Sequence, residues 1–277
     1  MGLLIGVVWM VATGLPAVAE VRLGIFGQVQ ALTPLVVAGQ TIVWPEGRAV
    51  LSPLGQTSVA LGDTLAIAAS PDDGALIAQR VMMIYPLIGP VDRAADGSVA
   101  VMGSRVVVPD GATVTPGTWV AVSGLWNEGK VIATRLRPVE AGGFGHLAGQ
   151  VEEAGNRIGG SMLSVGRRPE AGFDGGIWML TGLPGSEGLD VQLLVRGVFG
   201  GPVDLALWQG YASGPVASQT YTIRGTGVVG AARDAQMPQA GALVTRCARG
   251  SRVVQAAPEG LDAAFEALGC ARHTPAG

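Results

Sequence analysis

Through most of the chain, apolar residues come in short alternating runs that end at glycine, proline, aspartate or asparagine. Leu65 and Ile67, and again Val120 and Val122, alternate with small or polar neighbours, the period of a half-buried strand. Each run meets a turn, Asp72-Asp73-Gly74 in one case and Asn127-Glu128-Gly129 in the other, where glycine accepts a positive φ without a Cβ clash. This pattern predicts hairpins built on a type I turn followed by a left-handed glycine. The returning strands alternate too, with Ile77 and Val81, or Ile132 and Leu136, inward and Arg80 and Arg135 on the opposite, solvent-facing side. One segment reads as a helix: Pro258 opens it, Leu261, Ala264, Phe265 and Leu268 share a face, and Gly269 caps it.

The two hairpins are copies of one another. Gly62, Leu65, Ile67, Gly74, Ile77, Ala78 and Arg80 correspond to Gly117, Val120, Val122, Gly129, Ile132, Ala133 and Arg135 at a constant offset of 55 (117 − 62). A third copy is expected from Glu187 onwards, with Gly188, Val191, Leu193, Gly200 and Val203 lying 71 (188 − 117) beyond their counterparts. A Gly-x-Val step recurs at Gly27-Gln28-Val29, Gly89-Pro90-Val91, Gly149-Gln150-Val151 and Gly214-Pro215-Val216. It divides the chain into β units over 20–89, 90–146 and 147–213, with a C-terminal β/helix element over 214–277. About five short strands per unit leave open sheet edges unless the sheet curls shut. The expected fold class is therefore all-β: tandem small OB-like, or SH3-like, β-barrel units with one short C-terminal helix.

Composition narrows the function. The 44 glycines and 17 prolines lack a collagen period and fit a turn-rich β protein. Charged residues are 14% of the chain and net charge is −3, so the clustered cations that neutralise nucleic-acid phosphates are lacking. Residues 1–19 read as a signal peptide: an apolar stretch from Leu3 to Leu15, then Ala17-Val18-Ala19 with cleavage between Ala19 and Glu20. No Lys or Arg precedes the apolar stretch. In an exported chain the two cysteines, Cys247 and Cys270, are expected to form a disulfide pinning the C-terminal helix to the strand before it.

These repeats resemble the exported bacterial proteins that carry the domain of unknown function 5666. Gly89-Pro90-Val91 and Gly214-Pro215-Val216 match that group's step between units. Gly117-Thr118-Trp119-Val120-Ala121-Val122-Ser123-Gly124 matches its first hairpin strand, and Gly129, Ala133 and Leu136 match the second. The resemblance covers about residues 24–213. It implies export and a string of OB-like units, and carries no chemistry with it.

The remaining motifs are candidates for chemistry. Gly225-Thr226-Gly227-Val228-Val229-Gly230 has the glycine spacing of a dinucleotide-binding turn. The ribose-binding acid is missing, since no Asp or Glu lies between Asp234 and Glu259. His146 and His273 do not form a spaced metal-ligand pair, with His273 expected in a frayed tail. Asp72-Asp73 and Glu152-Glu153 read as turn or edge polarity, because adjacent strand residues point to opposite faces. Trp44, Trp119, Trp126, Trp178 and Trp208 are expected to fill or cover barrel cores. The sequence thus predicts no catalytic residue, no cofactor and no metal. The expectation is a non-catalytic envelope protein, periplasmic or extracellular after signal cleavage, acting as a binding or structural scaffold. Its partner is expected to be an envelope protein or a glycan, not nucleic acid, with the membrane met only during export. The alternative is a nucleotide-dependent enzyme using Gly225–Gly230.

Overall fold

The computed structural model describes residues 21–273 except 46–47, 93–97, 153–154, 167–168, 170–171, 174, 216–218 and 232–236. The expected signal segment and its Ala19/Glu20 cleavage site lie outside the described residues. The fold is nearly all β, as the alternation predicts.

The first unit holds β1 (Leu23–Leu32), β2 (Leu35–Val37), β3 (Gln40–Val43), the two-residue β4 (Val50–Leu51), β5 (Thr64–Asp72) and β6 (Ala75–Met83). Its sheet closes: β1 pairs β2, β2 pairs β3, β3 runs parallel to β6, β6 pairs β5, and β5 returns to β1. This is the OB-like order, a five-stranded barrel with no long open edge. Leu65, Ile67 and Val81 point inward as the alternation predicts. In the returning strands Leu76 and Ala78, not Ile77, and Val131 and Ala133, not Ile132, are buried, because a bulge at Gln79 and at Thr134 shifts the alternation by one residue. Leu23, Ile25, Leu65, Ile67 and Met83 are fully buried, each contributing roughly 1.5–3 kcal/mol of burial.

Three further sets of five strands follow part of this order. Among the described residues their first and second strands meet at most through an isolated bridge, so these sets are curled sheet and not closed barrels. The second unit uses β7 (Leu87–Pro90), β8 (Ser98–Val101), β9 (Ser104–Val107), β10 (Trp119–Asn127) and β11 (Lys130–Val139). The third uses β12 (Gly145–Gln150), β13 (Arg157–Ile158), β14 (Ser161–Val165), β15 (Ile177–Gly185) and β16 (Gly188–Arg196). The fourth uses β17 (Leu205–Tyr211), β18 (Thr220–Ile223), β19 (Val228–Ala231), β20 (Leu243–Arg249) and β21 (Arg252–Val253). In each, the first strand pairs the fourth, the fourth pairs the fifth, and the fifth runs parallel to the third. The C-terminal element is therefore a further unit, and its first strand begins at Leu205, before the expected boundary at 213/214.

The register corrects two correspondences. Thr64, Trp119, Ile177 and Leu243 occupy one position, each pairing the residue after the step glycine of its unit's first strand. The third unit thus lies 58 (177 − 119) beyond the second, not 71, and Gly188 opens β16 instead of preceding the strand before it. The fourth step is Gly210-Tyr211-Ala212. Ala212 donates to Ala242 O and accepts from Gly241 N, as Val29 does with Asp63 and Gly62. Gly214-Pro215 lies just after this strand.

The hairpin turns also differ from expectation. Asp73 and Gly74 both have positive φ (42° and 78°), as do Glu128 and Gly129 (51° and 71°). These are two-residue type I′ turns, whose twist matches that of the flanking strands. Beyond the turn, β5–β6, β10–β11 and β15–β16 share a bulge at the same place. Gln79, Thr134 and Gln192 are the extra residues, and a bulge there bends the long strand and re-aims its side chains.

The units join in two sheets. The first and fourth share one through parallel pairing of β1 with β17, Leu23 opposite Leu205 through Phe26 opposite Trp208. The second and third share the other through antiparallel pairing of β7 with β12, where Leu87 faces its own counterpart Leu147. The chain ends in two short helices, α1 (Asp262–Ala267) and α2 (Cys270–His273), where one was expected. Gly269 separates them at φ 61°, and His273 ends α2 instead of lying in a tail. Leu261, Ala264, Phe265 and Leu268 join the core of the first unit's barrel, so the last segment seals the first unit. No helix among the described residues is long and apolar enough to cross a membrane.

Candidate functional site

The repeat-matched residues lead to the junctions between units. Asp63 is fully buried where the first unit meets the second. Its carboxylate accepts from Ala60 N at 2.8 Å and Ser123 Oγ at 3.2 Å, and pairs with Arg137 Nη2 at 3.4 Å and Arg135 Nε at 3.9 Å. Arg137 also donates to Thr57 Oγ1 and Ser58 O. Beside them, Thr64 Oγ1 donates to Gly124 O at 3.1 Å and accepts from Gly124 N at 3.0 Å, and Thr134 Oγ1 donates to Gly62 O. Burial holds the phenol of neighbouring Tyr85 above its ordinary pKa. Arg135 was expected to face solvent. It instead follows the bulge of β11, which turns it onto the first unit's carboxylate.

Arg80 occupies the same position in the first unit: Ala68 pairs Arg80 as Ser123 pairs Arg135. It too crosses to another segment, Nη1 donating at 3.0 Å to Gly200 O in the stretch between the third and fourth units. A polar cleft of about 280 Å³ opens there, lined by Arg22, Ser70, Gln79, Arg80, Gly200 and Gly201 among others. Gln79 Nε2 donates to Ser70 Oγ at 2.7 Å, and Arg48 Nη2 donates to Gln79 Oε1 at 3.2 Å. No carboxylate is among the lining residues. The third unit has Leu193 at this position, and it is 58% exposed.

The glycine-rich loop serves packing. Gly225–Gly227 form the turn joining β18 to β19, a hairpin and not the strand-to-helix turn that cradles a pyrophosphate. A Cβ on Gly225 would stand 2.5 Å from the Trp126 ring, and one on Gly227 would collide with Gly175 O. A Cβ on Gly230 would meet the Tyr221 ring at 2.3 Å. Trp126 sits at the hub, its Nε1 donating to Ala148 O at 2.8 Å and its ring against Gly149, Gly159 and Gly225. It is buried, as are Trp178 and Trp208, while Trp44 and Trp119 are half-buried. The void where the units converge here holds about 10 Å³, room for one water at most.

His146 is buried in β12 between Ile88 and Thr181, and its Nδ1 lies 3.2 Å from Thr181 Oγ1. Nε2 has no partner among the described residues. Burial lowers its pKa to about 4, so it is neutral at physiological pH. Asp72 and Asp73 stand exposed at the β5–β6 turn, on the rim of a groove of about 800 Å³ beneath α1 and α2. Glu152 is exposed after β12, and Glu153 lies outside the described residues. Among the described residues, no three His, Cys, Asp or Glu side chains are grouped to hold a metal.

Cys247 of β20 and Cys270 of α2 form the expected disulfide, with both residues buried. Sequence reasoning missed Asp63, Thr64, Ser123 and Arg137. The available signal was the matched pair Arg80 and Arg135, a charge kept at one position of two repeats. No family model matches the chain, and neither a curated protein nor a solved structure matches it.

Proposed function

We propose that this chain is a non-catalytic, exported envelope protein, periplasmic or extracellular, whose OB-like units form a rigid scaffold for binding. One observation carries the reading: the positions kept between repeats serve to dock one unit on another. Gly62 presents its carbonyl to Thr134, Arg135 reaches Asp63, and Arg80 reaches Gly200. Beside them the buried bonds between Thr64 and Gly124 and between Ser123 and Asp63 fix orientation between the first two units, since each buried donor or acceptor left unmatched costs about 1–3 kcal/mol. The disulfide agrees with an oxidising compartment. The resemblance to proteins with the domain of unknown function 5666 points the same way, towards tandem β units outside the cytoplasm. An envelope protein or a glycan is the proposed partner.

Cell fractionation with N-terminal sequencing tests the export half. A mature chain beginning at Glu20, with both thiols blocked, is expected in the envelope or medium. Recovery from the cytoplasm with Met1 intact and two free thiols overturns it. A glycan array probed with the mature chain, alongside crosslinking in intact cells, tests the binding half. Neither a glycan nor a reproducible envelope crosslink would leave the structural role alone.

A further inference from the structure

We infer that the cleft between Arg22 and Arg80 binds an anionic group, a carboxylate or a phosphate, carried by a ligand from outside the chain. This deepens the scaffold reading by giving one binding surface a ligand chemistry.

The repeat itself supplies the argument. Arg135 stands at the bulge of the second unit with the carboxylate of Asp63 as its counter-ion. Arg80 stands at the same bulge of the first unit, and its contact is a neutral carbonyl, Gly200 O at 3.0 Å. Where the second unit's arginine meets the first unit's aspartate, the first unit's own arginine lines a cleft of about 280 Å³. A second guanidinium faces it. A Cβ on Gly201 would lie 3.9 Å from Arg22 Nη1, and one on the preceding Gly200 would lie 1.9 Å from Arg80 Nη1. The two guanidinium groups therefore lie against two consecutive residues and line the same cleft.

The other groups in the cleft are poised as donors. Ser70 Oγ accepts from Gln79, which leaves its own proton free to be given to a ligand. Gln79 Oε1 is occupied by Arg48, which brings a third guanidinium to the rim. The Asp204 carboxylate, beside Arg22, has one oxygen taken by Arg22 N at 2.8 Å. Guanidinium groups suit carboxylate and phosphate oxygens because their planar donor fork binds two oxygens at once. Gly200 keeps the floor low. It has φ 71°, and any side chain there would displace Arg80.

Isothermal titration of the mature chain at low ionic strength tests this, with inorganic phosphate, sodium galacturonate and neutral galactose as probes. Phosphate, galacturonate or both are expected to bind with a Kd of about 1 mM or tighter, weakening as salt is added, while galactose does not bind. Phosphate alone would identify a phosphate ester as the natural group, and galacturonate alone a carboxylate. Arg22→Met with Arg80→Met is expected to weaken binding by about tenfold or more. Arg80→Lys should lose part of it, and Arg249→Met none. As an independent measure on the unaltered chain, the bound anion is expected to protect Arg22 and Arg80 from phenylglyoxal. No binding of either anion at about 10 mM, equal binding of galactose, or undiminished binding by the double variant with no protection overturns the inference. That outcome leaves export and the locked units standing. Recovery of the protein from the cytoplasm would sink the scaffold reading and leave the cleft's affinity untouched.

Discussion

His146 and Asp63 are both buried and ionisable, and each ties the stability of the chain to its surroundings in a different way. Burial lowers the His146 pKa from 6.5 to about 4. The unfolded chain therefore takes up a proton near pH 6.5 that the folded chain refuses until about pH 4. Stability from this residue is complete above pH 6.5, falls as pH drops through that window, and reaches its full loss, about 3 kcal/mol, below pH 4. At pH 5 the loss is about 2 kcal/mol. Urea melts at pH 7.5 and pH 5 check this: His146→Leu should flatten the pH dependence by that amount, and an unchanged slope would refute it. Asp63 acts through geometry instead. Asp63→Ala strips the counter-ion from Arg137, which is 23% exposed, and leaves Ser123 and Ala60 without their acceptor. The expected cost is about 3 kcal/mol, read as a lower urea midpoint with an unchanged slope. A change within about 0.5 kcal/mol would mean that the junction is held by packing alone.

At the scale of single elements, the β18–β19 hairpin and the C-terminal helices make opposite tests of what glycine and cysteine do. Gly225→Val would drive methyl groups into Trp126 from a backbone at φ 74°, so a loss of several kcal/mol is expected from overpacking and strain together. Trp126 fluorescence reports whether the hub opens. A stable variant with native fluorescence would mean that the hairpin stands clear of the ring. Cys247→Ser with Cys270→Ser removes a crosslink across a sequence separation of 23 and should cost about 3 kcal/mol by the chain-entropy model. Protease cleavage between β20 and α1 is expected to rise in that variant, because only Phe265, Leu268 and their neighbours then hold the helices on the first barrel. Two hairpins, the inward faces of β5 and β10, this helix face and the disulfide were legible in the sequence, since each rests on local period or turn chemistry. The inward faces of the returning strands were not, and Ile77 and Ile132 read as inward, because the bulge that shifts these strands leaves no local mark. The third and fourth units were legible only in part. The third hairpin has Ser186-Glu187 where the first two have Asp-Gly and Glu-Gly, and Leu193 replaces the arginine that marks the repeat. The fourth step has Ala212 in place of valine, so the eye is drawn to the fuller match four residues later. The polar junction at Asp63 was hidden for another reason. Its members, Ser123, Arg135 and Arg137, come from a different unit, and no local period records a contact across 60 or more residues.

Taken whole, the molecule is not a string of beads, because its first unit is built against its last. β1 borrows a parallel neighbour, β17, from the far end of the chain, and α1 and α2 then fill the first barrel's base. A third core, with Phe26, Leu125, Ala148, Phe199 and Trp208, draws on all four units. Phe26 and Phe199 pack on Trp208 at ring separations of 5.2 and 5.1 Å, which ties the first unit, the linker and the fourth unit into one cluster. A linear array whose units touch only their neighbours can lose an end repeat and keep the rest, since its stability is a sum of unit and interface terms. Here removal of the fourth unit would strip β1 of its parallel partner, expose the base of the first barrel and uncover the third core at once. The expected outcome is a single unfolding transition, with tryptophan fluorescence, far-ultraviolet circular dichroism and hydrogen exchange of β1 and β14 amides coinciding in denaturant. A chain ending at Gly201 should then fail to fold, even though it contains three complete sets of five strands. Two separated transitions, or a folded and monomeric fragment ending at Gly201, would mean that β1–β17 pairing joins units that are stable by themselves, and the rigidity on which a fixed binding surface depends would be lost.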